Sequence, residues 1–186
     1  MSEENYLANQ FLVAMPALDD ENFNHSVTLL CEHNERGALG LIINRPMTLK
    51  VRDMLGQMQL SDTDLNGDPM VFWGGPVSPE RGFVIHDGPD EWDSTMNIGG
   101  GLFITTSKDI LKAIGEGKGP GHYFVALGYA SWAEGQLESE IMQNSWLNTP
   151  VDQRILFKSP PSDRWKLATR LLGVDVTQLG GDAGHA

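Results

Sequence analysis

Cys31 and His33 stand two residues apart in the run Cys31-Glu-His-Asn-Glu-Arg-Gly-Ala-Leu-Gly-Leu-Ile-Ile-Asn-Arg-Pro46. A thiol beside an imidazole is the chemistry of a nucleophile or a redox sensor, because a nearby positive charge favours the thiolate. The competing reading is a core residue: strand alternation groups Cys31 with Val27 and Leu29 on an apolar face, where a thiol is inert. The core reading is favoured, with Cys31 and His33 kept as candidate redox residues. An oxyanion site and a third orienting group have no local signature, so no catalytic residue is assigned and enzyme activity is not favoured. Alternation also sends Glu32 to the opposite face, and His25, His86, His122 and His185 show no HxxxH, HExxH or CxxC spacing, so neither a metal nor a cofactor is expected.

Other residues suit binding better than bond-making. Thr105-Thr106-Ser107 lies where an apolar run gives way to a helical pattern, and the free N–H groups and dipole of a helix start can hold a carboxylate or phosphate. Gly74-Gly75-Pro76 and Arg81-Gly82 can bring bare backbone and a guanidinium to the same anion, and Asn44-Arg45 lies at the end of an apolar strand. The candidate cleft is therefore Asn44, Arg45, Gly74, Gly75, Arg81, Thr105, Thr106 and Ser107. The structural alternative is that Ser107 simply caps its helix and the glycines before prolines are turns. No Walker sequence, GxGxxG or GxSxG is present, and the five tryptophans suit a core or a partner contact better than base stacking.

The elements that must position these groups alternate along the chain. Strands are expected at Phe11 to Ala14, Ser26 to His33, Ala38 to Ile43, Val71 to Trp73, Gly82 to His86, Ser94 to Ile98, Leu102 to Thr106 and Tyr123 to Tyr129. Asn34 to Gly37 closes a hairpin, and Ala38 to Ile43 is apolar on both faces, as a central strand is. Thr48 is the expected N-cap of a helix carrying Val51, Met54, Leu55 and Met58, and Ser107 caps a second with Ile110, Leu111 and Ile114. Ser131-Trp-Ala-Glu134 has capping-box spacing for a third, which makes Gly128 to Ser131 another strand-to-helix junction. After the apolar segment Ile155 to Phe157, a helix from Ser162 to Leu172 ends before Gly173, and the glycine-rich tail 180–186 is expected to be loose.

A chain of 186 residues is long enough to bury its own core without staples, and it reads as one domain over 1–186. The net charge of −12 repels phosphate backbones, and the 13 Lys and Arg form no basic run, so direct nucleic-acid binding is disfavoured. One cysteine makes no intramolecular disulfide, the N-terminal Met-Ser-Glu-Glu lacks the base of a signal peptide, and Phe11 to Leu18 is too short to span a bilayer. The expectation is a cytoplasmic chain with no membrane partner, with a monomer favoured. Interspersed hairpins and helices favour an α+β or mixed α/β domain.

Several motifs together carry a family resemblance. Phe11-Leu-Val-Ala-Met-Pro16, Cys31-Glu-His-Asn34, Gly37-Ala-Leu-Gly40, Asn44-Arg-Pro46, Gly74-Gly-Pro-Val77, Arg81-Gly-Phe83, Thr105-Thr-Ser107, Leu127-Gly-Tyr-Ala130, Gly135-Gln-Leu137, Trp146-Leu147 and Ala183-Gly-His-Ala186 occur in an order that resembles the YqgE/AlgH family of bacterial proteins. The resemblance runs from about Tyr6 to the last residue. It implies an α+β fold: a mixed, branched β-sheet partly closed into a small barrel and surrounded by helices. It brings no catalytic residues, since family members are commonly called uncharacterised proteins or transcriptional regulators.

Three functions follow as expectations. The favoured one is a non-catalytic regulatory or adaptor protein whose polar cleft takes a small anionic or nucleotide-like ligand, or a protein partner. The alternatives are a DNA-binding transcriptional regulator and a thiol-dependent enzyme or redox sensor using Cys31.

Overall fold

Ten strands and five helices make up the computed structural model, which describes residues 7–16, 18 and 20–173. The tail at 180–186, expected to be loose, lies outside the described residues. The chain begins with β1 (Gln10–Ala14), β2 (Val27–Asn34) and β3 (Gly37–Ile42), consecutive antiparallel neighbours. Then come β4 (Pro46–Lys50), α1 (Val51–Gln57), β5 (Met70–Trp73), β6 (Val77–His86), β7 (Thr95–Gly99), β8 (Leu102–Thr105) and α2 (Lys108–Gly115). The last third holds β9 (Tyr123–Ala133), α3 (Gln136–Met142), β10 (Trp146–Pro150), α4 (Gln153–Lys158) and α5 (Arg164–Leu171). The sheet runs β10-β1-β2-β3-β9-β6-β8-β7, with β5 beside β9 and β4 outside β5.

The trunk of this sheet is β9. One edge pairs with β6, while the other pairs with β5 in parallel at Val125–Leu127 and with β3 at Ala130–Ala133. The sheet therefore branches at Gly128, which takes a φ of +76° between the two partners. At the fork Gly74 donates its N–H to the Leu127 carbonyl (2.8 Å) and accepts from Ile42 (2.9 Å), which ties all three branches together.

The curl of the sheet encloses an apolar interior. Phe11, Leu29, Cys31, Leu41, Phe72, Phe83, Ile85 and Ile104 point inward, and α4 and α5 fill the open side with Ile155, Leu156, Trp165 and Ala168. Near its end the β7–β8 turn meets the segments beside β1 and α4, with Gln153 Nε2 donating to the Gly100 carbonyl at 2.8 Å. On the outer face α1 and α2 bury Val51, Leu55, Ile110 and Ile114 against Val71, Val84 and Val125. A separate layer sets α3, through Leu137, against Leu12, Leu30, Trp132 and Trp146. This is the half-barrel α+β architecture expected of the chain.

Several local expectations give way to tertiary pairing. Thr48 is no N-cap: Pro46–Lys50 is drawn into a strand by β5, and the helix starts one residue after Lys50, whose N–H is accepted by Asp53 at 3.1 Å. The Ser131–Glu134 capping box does not form. Ala38, Leu39 and Gly40 of β3 pair with Trp132, Ser131 and Ala130, so β9 continues to Ala133 and the helix begins after Gly135. Gly128 to Ser131 is accordingly mid-strand rather than a strand-to-helix junction. Ile155 to Phe157 lies in α4, whose cap Asp152 accepts the Arg154 N–H at 2.9 Å, and β10 had no clear periodicity to announce it.

Candidate functional site

The first candidate pair does not assemble. Leu30 stands opposite Gly40 and Glu32 opposite Leu39, so Cys31 is the extra residue of a β-bulge. Beyond the bulge the faces exchange. Cys31 points into the barrel interior, whereas His33 points outward, where its Nε2 meets the Glu138 carboxylate of α3. The thiol is wholly buried, its Sγ donates to the Leu29 carbonyl at 3.4 Å, and burial followed by the charge of Glu32 pushes its pKa far up. Both effects hold it as the inert thiol.

Thr105, Thr106 and Ser107 do sit at the junction of β8 and α2, yet the helix start is already served. Asp109 accepts from the Ser107 hydroxyl, from Asp93 N–H (2.8 Å) and from Ile110 N–H (3.0 Å). Burial would raise the Asp109 pKa, but these donors outweigh it and hold the carboxyl below its ordinary value. Ser107 Oγ also accepts from Ser94 N–H at 3.0 Å, and the Thr106 N–H goes to the Ser94 carbonyl. The anion expected at this helix start is thus supplied by the chain itself.

Thr105 is fully buried and belongs to a polar chain that sequence reasoning missed. His86 is also fully buried; its Nδ1 meets the Asp87 carbonyl, which only accepts, so Nδ1 carries the proton. His86 Nε2 therefore accepts from Thr105 Oγ1 at 2.7 Å, and Thr105 Oγ1 in turn accepts from Thr95 Oγ1 at 2.8 Å. Burial lowers the His86 pKa and keeps the imidazole neutral. Asp87 reaches outward from the same corner, taking His122 Nδ1 at 2.8 Å and its N–H at 3.1 Å. A lone His inside an apolar strand is the sequence signal that could have found this chain.

The remaining five candidates collect around the branch. Asn44 ties the strand ends, accepting Val27 N–H and donating to the His25 carbonyl, both at 2.9 Å. Arg45 donates to the Glu21 and Asn24 carbonyls (3.3 and 2.6 Å), and its guanidinium lies 5.8 Å over the Trp73 ring. Burial lowers its pKa. Gly74 and Gly75 are packed on β9 and are not bare backbone: a Cβ on Gly75 would fall 2.2 Å from the Tyr129 carbonyl carbon.

Arg81 differs from all of these. Residues 78–81 leave the β6–β9 ladder between Val77, opposite Tyr129, and Gly82, opposite Leu127. The excursion returns the exposed Arg81 guanidinium over two inward-facing rings, 5.3 Å from Phe83 and 5.9 Å from Tyr129. No carboxylate of the described residues pairs with it. Alternation along β5 puts Trp73 on the face opposite Phe72, so Arg45 and Arg81 rest on opposite faces of the sheet. The eight candidates thus divide between a clamp at Arg45, a capped helix start at Ser107 and an open cation at Arg81.

A buried cation, Arg164 of α5, was not anticipated. It donates to the Ile43 carbonyl and twice to the Ser159 carbonyl at the end of α4 (3.2 and 3.1 Å), and lies 5.0 Å over Phe72. Burial pushes its pKa down to about 10. Carbonyls at a helix C-terminus are suitable partners for a cation, so this arginine docks the helices into the half-barrel.

Comparison with known proteins agrees with this architecture. A family model described as AlgH-like (DUF179) matches residues 11–177. A UPF0301 protein of Methylococcus capsulatus is 52% identical over 188 residues, covering 99% of this chain and 98% of the relative. A UPF0301 protein of Thioalkalivibrio sulfidiphilus is 49% identical, with full coverage of both chains. The solution structure of the AlgH protein from Pseudomonas aeruginosa is 43% identical, covers 100% of this chain and 99% of its own, and superposes with a TM-score of 0.78. A Corynebacterium diphtheriae protein at 21% identity, covering 91% of this chain and 89% of its own, shares the fold with a TM-score of 0.72.

Proposed function

From the premise that the chain belongs to the AlgH-like family, we propose that it is a non-catalytic regulatory or adaptor protein that recognises a small carboxylate- or phosphate-bearing ligand through Arg81. The observation that carries this reading is the Arg81 guanidinium, exposed, without a carboxylate partner among the described residues, and steadied over Phe83 and Tyr129. Stacking on ring faces leaves the guanidinium edge free, and that edge donates a pair of N–H groups matching a carboxylate or phosphate. A nucleotide would fit the same chemistry through its phosphate.

The non-catalytic part draws support from the state of the reactive groups. Cys31 is buried away from His33, His86 is neutral with both nitrogens engaged, and the α2 helix start is filled by Asp109. A thiol-dependent activity has its nucleophile in the core. Direct DNA binding has a net charge of −12 against it. No described helix is long and apolar enough to cross a membrane, and a reducing cytoplasm suits a lone buried thiol.

A thermal-shift screen of the full chain against inorganic phosphate, AMP, ATP and citrate tests the proposal. At least one probe is expected to raise the melting temperature in proportion to its concentration, and less so in Arg81→Ala. Stabilisation by none of the four would overturn the reading.

A further inference from the structure

Among the described residues, three strands have a partner on one edge only: β4 on β5, β10 on β1 and β7 on β8. Such an edge offers unpaired N–H and C=O groups to any extended chain, and proteins commonly blunt it with Pro or Lys. Here β4 carries Pro46 and Lys50, and β10 ends in Pro150. The third, Thr95-Met-Asn-Ile-Gly99, carries neither.

The register says which groups are open. Thr106 N–H donates to the Ser94 carbonyl, Thr95 stands opposite Thr105, and Met96 stands opposite Ile104. Bonded and non-bonded pairs alternate along an antiparallel ladder. Met96 therefore bonds to β8, while Thr95 and Asn97 turn their N–H and C=O groups away from it. Met96 is 43% exposed and offers apolar contact beside this edge.

Charge selects the occupant. From Gly82 to Ser107 the chain has no Lys or Arg, but it has Asp87, Asp90, Glu91 and Asp93. Asp90, Glu91 and Asp93 are exposed, and none has a basic partner among the described residues. The Asp109 carboxylate, accepting the Asp93 N–H, adds a further negative group at the same end of β7. A second copy of this acidic chain would meet like charge there, whereas a segment bearing Lys or Arg would be attracted.

We infer that β7 is a docking edge for an extended basic segment of a protein partner, which adds as one more strand. Its backbone pairs with Thr95 and Asn97, and its Lys or Arg side chains meet Asp90, Glu91 and Asp93. Backbone pairing supplies the attachment and side-chain charge supplies the selection, as in other strand-addition complexes.

Two synthetic peptides test this on the full chain: Lys-Val-Lys-Val-Lys-Val-Lys and the same peptide with Glu in place of Lys. Binding is read by fluorescence anisotropy and by amide hydrogen exchange. The basic peptide is expected to bind saturably and to slow exchange of the Thr95 and Asn97 amides at least tenfold at saturation, and the acidic one to do neither. Asn97→Pro, which removes an outward N–H, should abolish binding. The triple variant Asp90→Asn, Glu91→Gln, Asp93→Asn, which leaves the backbone intact, should weaken it at least tenfold and decides the matter if the proline variant does not fold. Absence of binding, equal binding of both peptides, or binding that leaves the Thr95 and Asn97 amides unprotected would overturn the inference.

Discussion

The carbonyl oxygen of Gly128 lies 2.3 Å from where a Cβ on Gly74 would stand. Two backbones, β9 and the segment leaving β5, meet at the fork with no space for a side chain between them. The contact explains both the Gly-Gly-Pro and the Leu-Gly-Tyr motifs as parts of one device that lets the sheet branch.

Gly74→Ala is accordingly expected to cost about 3 kcal/mol or more, because the Gly128 carbonyl is backbone and cannot swing aside. Gly56→Ala is the contrast: Gly56 lies inside α1 with nothing within 4 Å of its Cβ position, and should gain roughly 0.5–1 kcal/mol from helix propensity. Urea unfolding of both variants checks the pair.

Cys31 should behave as a core residue. In the folded protein a thiol reagent such as DTNB is expected to react only as fast as the protein opens, and at full rate in denaturant. Cys31→Ser, which places a hydroxyl among apolar neighbours, should destabilise by roughly 1–3 kcal/mol. Prompt stoichiometric labelling of the native protein would refute the burial.

The barrel strands were legible because Phe11 to Ala14, Ala38 to Ile43 and Tyr123 to Tyr129 are apolar runs bounded by turn residues. Ser131-Trp-Ala-Glu134 shows the limit: its local signal for a helix start is overridden by a ladder to β3, residues distant in sequence. The site was harder to read. Two-residue spacing set His33 beside Cys31, and the bulge at Cys31 sends the two to opposite faces, a feature that leaves no trace in residue types. The Arg81 excursion, the His86–Thr105 chain and the self-capping by Asp109 likewise depend on which distant strands meet.

His86 gives a pH dependence with a definite sign. Its folded pKa lies below that of the unfolded chain, about 6.5, so the unfolded state takes up the proton first. This contribution to stability is complete above about pH 6.5 and is lost as pH falls from there through the folded pKa. His86→Gln should remove that portion of the acid destabilisation. The difference in unfolding free energy between parent and variant, measured in urea, should therefore shift against the parent as pH falls from 7.5 to 5, whatever its value at pH 7.5, and a difference that stays flat over this range would refute the assignment.

Anion recognition at Arg81 can be followed by an NMR titration of the full chain. Inorganic phosphate, AMP and citrate are added separately while the amides of Gly75, Arg81 and Tyr129 are followed. Saturable shifts are expected at these amides with at least one probe, lost in Arg81→Ala, whose stability stays within about 1 kcal/mol of the parent because only ring stacking is removed. Saturable shifts that persist unchanged in Arg81→Ala, or no saturable shift at these amides with any probe, would rule out anion recognition at Arg81.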